Sequence, residues 1–165
     1  MSEALIGAAL DAARTEGVRY ADVRLVSPQR YLHLAVRDGT ASSLTSSLAA
    51  GLGVRVRTAR AWGFGATRTL TPASVRAAAR TAVRLARAAS RSARSPLPWT
   101  SESGPNGGRY ATALREDPFA VSGEDVIALL ADAERRLHVG PEVKSGVASF
   151  QAWDETKWFA SSDGA

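Results

Sequence analysis

The chain offers few side chains with which to do chemistry: two histidines, His33 and His138, sixteen Asp and Glu, and no cysteine in 165 residues. Without cysteine there can be no disulfide framework, thiolate zinc site, iron–sulfur cluster or cysteine nucleophile. The histidines lie far apart, and neither stands in H-E-x-x-H spacing, where two imidazoles on one helical face hold a metal beside a carboxylate that acts on water. His33 alternates with an aliphatic set, as a solvated or sheet-edge residue would. His138 follows Leu137 beside Gly140-Pro141, the place of a cation against a helix C-terminus. No metal, zinc included, is expected on this chain alone. Serine is plentiful, but no G-x-S-x-G elbow occurs and no histidine is placed to act as its base. Glu116-Asp117 and Asp154-Glu155 are chain neighbours rather than facing carboxylates and read as solvated surface. Gly51/Gly53 and Gly63/Gly65 could suggest phosphate cradles, but they open no helix. Inside alternating patterns they mark close backbone packing or bulges. Asn106-Gly107-Gly108 reads as a turn with neither nucleophile nor base.

Charge is the other candidate for chemistry. The net charge is +5, with 15 basic and 5 acidic residues in 1–100 but 6 and 11 in 101–165. Only Lys144 and Lys157 are lysines. Such arginine and alanine bias is what GC-rich coding produces, and it needs no arginine chemistry. One pattern stands out within it. Arg76, Arg80, Arg84, Arg87, Arg91 and Arg94 recur at helical intervals and fall within an arc of ~80°. Such a stripe could follow a phosphate backbone, with steep salt dependence, or dock a partner protein. Aromatic residues that could stack on bases are not interleaved with it, so nucleic acid is not the expected partner. Any amphipathic helix also needs a polar face. No signal peptide is visible, and no run approaches the ~20 apolar residues needed to span a bilayer. A cytoplasmic protein without membrane contact is expected.

The elements that would position these groups follow from periodicity. Apolar residues are 45% of the chain, enough for one core, so one domain spanning 1–165 is expected. Residues 3–15 carry Leu5, Ala9, Leu10, Ala12 and Ala13 at helical spacing before Gly17. Val23 and Leu25 then alternate in a strand that Pro28 ends, and Leu32, Leu34 and Val36 alternate in the next. Asp38-Gly39 is a strong hairpin signal. A serine-rich, partly wet return strand over 40–48 is anchored by Leu44 and Leu48, and strands over 51–57 and 61–67 follow. Thr71-Pro72 starts a helix of 72–94, ~35 Å long, with Val75, Ala78, Ala79, Ala82, Leu85, Ala86 and Ala89 as its apolar stripe. Residues 95–118 form an irregular crossing. Ser122 caps a second amphipathic helix to Leu137, with Asp125 standing in for the usual Glu of a capping box. Two strands, 142–150 and 151–160, complete an α+β fold, an antiparallel meander packed on two to three amphipathic helices in two layers. Asp163-Gly164 reads as the turn of a further hairpin, so the chain is expected to be part of a larger protein. Apolar strand edges at Trp153, Trp158 and Phe159 are expected to be exposed.

The order of several short motifs adds a resemblance. Tyr20-Ala21-Asp22-Val23-Arg24, Val36-Arg37-Asp38-Gly39, Gly51-Leu52-Gly53-Val54-Arg55-Val56 and Ala61-Trp62-Gly63-Phe64, then an alanine-rich helix, resemble the N-terminal domain of the TldD/PmbA family of bacterial and archaeal metalloproteases. Asp117-Pro118-Phe119 and the run from Glu155 to Gly164 extend it toward the TldD-like member. The resemblance implies a role in zinc-dependent hydrolysis of flexible peptides such as antibiotic precursors and small antitoxins. It also implies pairing, as homo- or heterodimer, with a TldD/PmbA-type subunit. In that family the zinc ligands belong to an H-E-x-x-x-H helix and a further cysteine in the C-terminal half, and this sequence contains neither. No catalytic or metal residue is therefore carried over. The implied function is a scaffold for the substrate chamber and subunit contacts, the catalytic C-terminal domain being absent. An older name links the family to modulation of DNA gyrase. The alternative is a basic module that meets nucleic acid or a partner protein through the six arginines.

Overall fold

The computed structural model describes residues 1–15, 17–99 and 107–164. Its elements are α1 (Ser2–Ala13), β1 (Tyr20–Arg37), β2 (Thr40–Arg57), β3 (Trp62–Thr67), α2 (Pro72–Ser92), α3 (Gly123–Leu137) and β4 (Val147–Ser161). The strands form one antiparallel sheet in the order β3-β2-β1-β4. The expected α+β class holds. Asn106 and residues 100–106 of the crossing lie outside the described residues. Among the described residues no helix is long and apolar enough to cross a membrane.

Three expected strand breaks are absent. β1 runs unbroken through Pro28, β2 joins 40–48 to 51–57, and β4 replaces two strands while leaving 142–146 outside it. In β1 the sequence misleads because buried positions change parity: odd over Ala21, Val23 and Leu25, even over Leu34 and Val36. A pattern that loses its phase at a proline reads as two strands although the backbone stays extended. At the hairpin the chemistry is as expected: Asp38 (φ 49°) and Gly39 (φ 73°) both adopt the left-handed conformation that a two-residue primed turn requires.

The chain divides into two compact units. The first comprises residues 1–27, 50–110 and 156–165. Its core joins Leu5, Ile6, Ala9 and Leu10 of α1 with Ala21, Val23, Leu25, Leu52, Val54 and Val56 of the sheet and Val75, Ala79, Ala82, Val83 and Ala86 of α2. Thr71 caps α2, accepting the Ser74 N–H at 3.3 Å, with Pro72 at the first helical position. The helix ends at Ser92, so Arg94 falls outside it. Two members of the expected apolar stripe also move: Leu85 is 43% exposed and Ala89 is exposed, while Val83 is buried in their stead. The helix turns toward α1 and β3 together, which brings Val83 inward.

Glycine decides how closely α2 approaches the sheet. Val54 pairs across the ladder with Gly65, and Val56 with Gly63. A Cβ on Gly63 would collide with the Ala82 carbonyl oxygen and the Ala86 nitrogen, and one on Gly65 with the Ala78 carbonyl oxygen. The expected close backbone packing is thus the packing of a helix on a sheet. Gly53 lies instead beneath the exposed Phe64 ring, 3.0 Å from a virtual Cβ.

The second unit comprises residues 28–49 and 111–155. Val126 and Leu130 of α3 pack on Leu34 and Val36, with Leu32, Ile127, Ala131, Ala148 and Phe150 around them. Ser122 caps α3 by accepting the Asp125 N–H at 3.1 Å. Its hydroxyl donates to the Asp125 carboxylate at 2.6 Å, so the side-chain pair closes on itself rather than in a full capping box. The expected anchors Leu44 and Leu48 are 74% and 70% exposed, because β3 pairs only with Leu52–Arg57 and the serine-rich part of β2 is wet.

Replacing Gly63 or Gly65 by alanine should cost about 1–3 kcal/mol, since backbone atoms of α2 cannot swing aside as a side chain can. Gly53→Ala should cost less, because the exposed Phe64 ring can move. Urea denaturation checks this order; three equal losses would refute the account.

Candidate functional site

The residues of the motif set that do not enter the core converge on the face of the first unit turned away from α1 and α2. Strand alternation sends Tyr20, Asp22 and Arg24, then Arg55 and Arg57, then Trp62 and Phe64, to that face. Asp22 is 2% exposed. Its Oδ2 accepts from Arg55 Nε and Nη2 at 2.7 Å each, and Arg24 Nε stands 3.9 Å from Oδ1. Arg55 lies over the Trp62 ring at 4.7 Å, and Tyr20, Trp62 and Trp99 meet with centroids 4.9 to 6.0 Å apart. Trp99 is held there by Leu97, whose N–H donates to Ala59 O at 3.0 Å and whose carbonyl accepts from Arg57 Nη2 at 2.6 Å. Arg57, 7% exposed and 5.4 Å from Trp99, leaves its Nε without a partner.

This cluster is built to hold charge in place rather than to move protons. Burial raises the Tyr20 pKa, and the charge and hydrogen bond of Asp22 raise it further, so the phenol stays protonated. For Arg55 burial opposes the charged form, but the Asp22 hydrogen bond and charge outweigh it and raise the pKa. The Arg55 guanidinium places both of its bonds on Asp22 Oδ2 and so holds that carboxylate in one position. The sequence signal for this cluster was present in the resemblance motifs, as the off-core half of each alternation. What it lacked was the register that brings Asp22 to Arg55.

A second cluster joins residues that are distant in the chain. Asp38, Glu134 and His138 place ligand-type atoms within 4.8 Å of one another in the second unit. Sequence spacing hid this because the hairpin turn and the end of α3 meet only in the fold. Asp38 Oδ1 accepts the Gly146 N–H at 2.8 Å, and Oδ2 accepts the Ser145 hydroxyl at 3.0 Å. Glu134, 2% exposed, accepts the Gly39 N–H on Oε2 at 3.2 Å, and its Oε1 is 2.6 Å from His138 Nε2. His138 does stand at the C-cap of α3 as expected, but its ring is bound to Glu134. The hydrogen bond to Glu134 raises the His138 pKa against partial burial, with the Glu134 charge, Val143 and Asp38 adding to it. Hydrogen bonds from Gly146 and Ser145 lower that of Asp38.

Asp38, Glu134 and His138 are donor types that could hold a metal ion, and hydrogen bonds already engage each of them. A zinc ligand must be deprotonated, as a thiolate, a neutral imidazole or a carboxylate. In this cluster each of the four carboxylate oxygens has one hydrogen-bond partner, and the bond to Glu134 shifts the imidazole toward its charged form relative to a free histidine. The arrangement is a clasp that ties the β1–β2 turn to α3 and to the segment before β4. His33 contributes to no cluster; its half-buried Nδ1 lies 3.3 Å from Ser43 Oγ on the neighbouring strand. The other adjacent acids divide: Asp154 pairs with Arg30, which also stacks on Phe119 at 4.4 Å, while Asp117 accepts the Phe119 N–H at 2.9 Å. Trp153 and Phe159 are 60% and 46% exposed as expected, but Trp158 is half-buried against the core.

Of the arginine stripe, Arg80, Arg84, Arg87 and Arg91 line a groove of about 500 Å³ with Ala12, Thr15, Val83 and Ala88. Arg76 is exposed on the same helix outside that lining, and Arg94 lies past the helix end.

Comparison with known proteins shows what this helix-backed antiparallel sheet is similar to. Residues 21–86 match the family model described as PmbA/TldA metallopeptidase domain 1. Residues 21–86 thus resemble the first domain of the TldD/PmbA family, the likeness that the motif order implied. Three solved structures share the fold. A candidate modulator of DNA gyrase from Thermotoga maritima is 12% identical with a TM-score of 0.67, covering 100% of this chain and 36% of its own. TldE from Thermococcus kodakarensis is 17% identical with a TM-score of 0.64, covering 99% and 35%. A candidate modulator of DNA gyrase from Bacteroides thetaiotaomicron is 16% identical with a TM-score of 0.60, covering 96% and 39%. The chain therefore spans somewhat over a third of the length of these structures. No curated protein matches it.

Two measurements check the clusters. The His138 ring should titrate above 6.5 by NMR and return toward 6.5 in Glu134→Gln. A raised folded-state pKa means that its stabilisation is complete below 6.5 and is lost as pH rises through the folded value, whereas the lowered Asp38 gives stabilisation present above 3.8 and lost as pH falls below it. The clasp is thus strongest in the mildly acidic window between. Asp22→Asn should destabilise the chain by about 1–3 kcal/mol, less than a fully buried pair would cost because Arg55 keeps contact with water. It should also bring the Tyr20 titration back toward 10.0, which ultraviolet absorbance can follow.

Proposed function

We propose that this chain is the N-terminal scaffold, substrate-chamber and subunit-contact domain of a TldD/PmbA-type metallopeptidase that cleaves flexible peptides in the cytoplasm. The observation that carries the reading is the match of residues 21–86 to the first domain of a metallopeptidase family, on a chain about a third as long as the solved proteins of that fold. The zinc ion and the peptide chemistry belong, in this reading, to residues outside this chain, because the sequence has no H-E-x-x-x-H run and no cysteine, and Asp38, Glu134 and His138 are engaged in the clasp. The chain supplies rigidity: a sheet seated on α1 and α2 through small residues, with the Asp22–Arg55–Trp62 cluster fixing its other face. Its partner is a TldD- or PmbA-type subunit.

The alternative, a basic module acting through Arg76, Arg80, Arg84, Arg87, Arg91 and Arg94, narrows to the four arginines that share a groove. No aromatic residue lines that groove, so a nucleic-acid role has no stacking surface to support it.

Purified chain incubated with an unfolded peptide such as casein should show no chelator-sensitive turnover, with or without added zinc. It should nevertheless co-elute with a TldD- or PmbA-type subunit in size-exclusion chromatography. Chelator-sensitive hydrolysis with stoichiometric zinc would refute the non-catalytic role, and failure to bind either subunit type would refute the subunit-contact role.

A further inference from the structure

The charged face of α2 differs from that of α3. α3 sets Asp132 against Arg135 and Arg136 at 3.1 and 2.8 Å, so its charges neutralise one another along the helix. α2 carries five arginines and no acidic residue. Its guanidiniums stand at i, i+3 and i+4 from one another, where like charges destabilise a helix. Among the described residues no acid pairs with Arg80, Arg84 or Arg91, and Arg87 reaches Thr15 at 3.4 Å. Arginine-rich coding accounts for arginine in place of lysine; it does not account for the absence of acids on this face alone.

Four of these arginines line a groove with an aliphatic floor of Ala12, Val83 and Ala88. We propose that this groove docks an acidic helical segment of a partner protein. At 1.5 Å per residue Arg80 to Arg91 spans ~16 Å, and a neighbouring helix with carboxylates at i, i+4, i+7 and i+11 repeats the same rise along the groove, with Arg80, Arg84 and Arg91 as the pairing guanidiniums. Guanidinium–carboxylate pairing is bidentate and orients the segment, while small apolar side chains between the acids cover the aliphatic floor. A phosphate backbone would instead strand its charge against that floor and find no ring on which to stack a base. This inference goes beyond the peptidase-domain reading and does not rest on it, since the groove would bind its segment whether or not the chain meets a catalytic subunit.

Fluorescence anisotropy of the 165-residue chain with three labelled probes tests it. The probes are a helical peptide with glutamate at i, i+4, i+7 and i+11, the same peptide with glutamine there, and a short DNA duplex. At low salt the glutamate peptide should bind at least about tenfold more tightly than either other probe, weakening as salt rises. Arg80→Glu with Arg84→Glu and Arg91→Glu should abolish binding. The neutral triple variant with glutamine at these positions, which perturbs the helix less, should weaken it by about tenfold or more. Arg76→Glu, outside the lining, should change it by less than about twofold. Circular dichroism confirms that each variant keeps its helices. No binding of the glutamate peptide, equal binding of the glutamine peptide, tighter binding of the duplex, or equal loss in Arg76→Glu would each overturn the proposal.

Discussion

The first unit depends on one steric permission: β3 has no side chains where α2 crosses it. Gly63 and Gly65 let the backbone of α2 come down at Ala78, Ala82 and Ala86, a distance at which even a methyl group would collide. The alanine surface of α2 is the complement of that gap, and Val54 and Val56, opposite the glycines in the ladder, supply the bulk that the glycines omit. Close approach raises dispersion contacts and removes water from both surfaces, so small residues here stabilise packing rather than weaken it. The position of Val83 toward α1 follows from where that contact places the helix.

Strand alternation gives the same short motifs a second task. In Tyr20-Ala21-Asp22-Val23-Arg24 the even residues form the clamped carboxylate and the odd ones the core, and the stretches around Arg55 and Trp62 divide in the same way. The family likeness is therefore a likeness of two surfaces of one sheet. Asp22 is held by Arg55, and Arg55 by Asp22 and the Trp62 ring, so each member of this cluster fixes another in place. In the second unit the clasp of Asp38, Glu134 and His138 does comparable work with hydrogen bonds to backbone, and Gly146 leaves the room it needs, since a Cβ there would stand 2.6 Å from Glu134.

Much of the architecture was legible in the residues. The hairpin at Asp38-Gly39, the caps at Thr71 and Ser122, the three helices and the packing role of Gly63 and Gly65 rest on local rules of turn chemistry, capping and periodicity, and they hold. Strand continuity was not legible. Pro28 and Gly51 are local breakers that a paired neighbour overrides, and a change in the parity of burial looks the same in sequence as a change of strand. The inward turn of Val83 and the exposure of Leu85 depend on which neighbours α2 meets, and no helical wheel contains that information.

For the chemistry the division is sharper. Composition excluded thiolate chemistry outright and spacing excluded a histidine pair on one helix, because both depend on covalent order. The meeting of Asp38 with His138, and of Asp22 with Arg55, belongs to no spacing rule. Each pair joins distant positions through strand register or the docking of a helix, and each was then consumed by hydrogen bonds whose geometry exists only once the chain has folded. Residue types set what these groups could do in principle, and the folded arrangement decides which of them meet and hold the domain together.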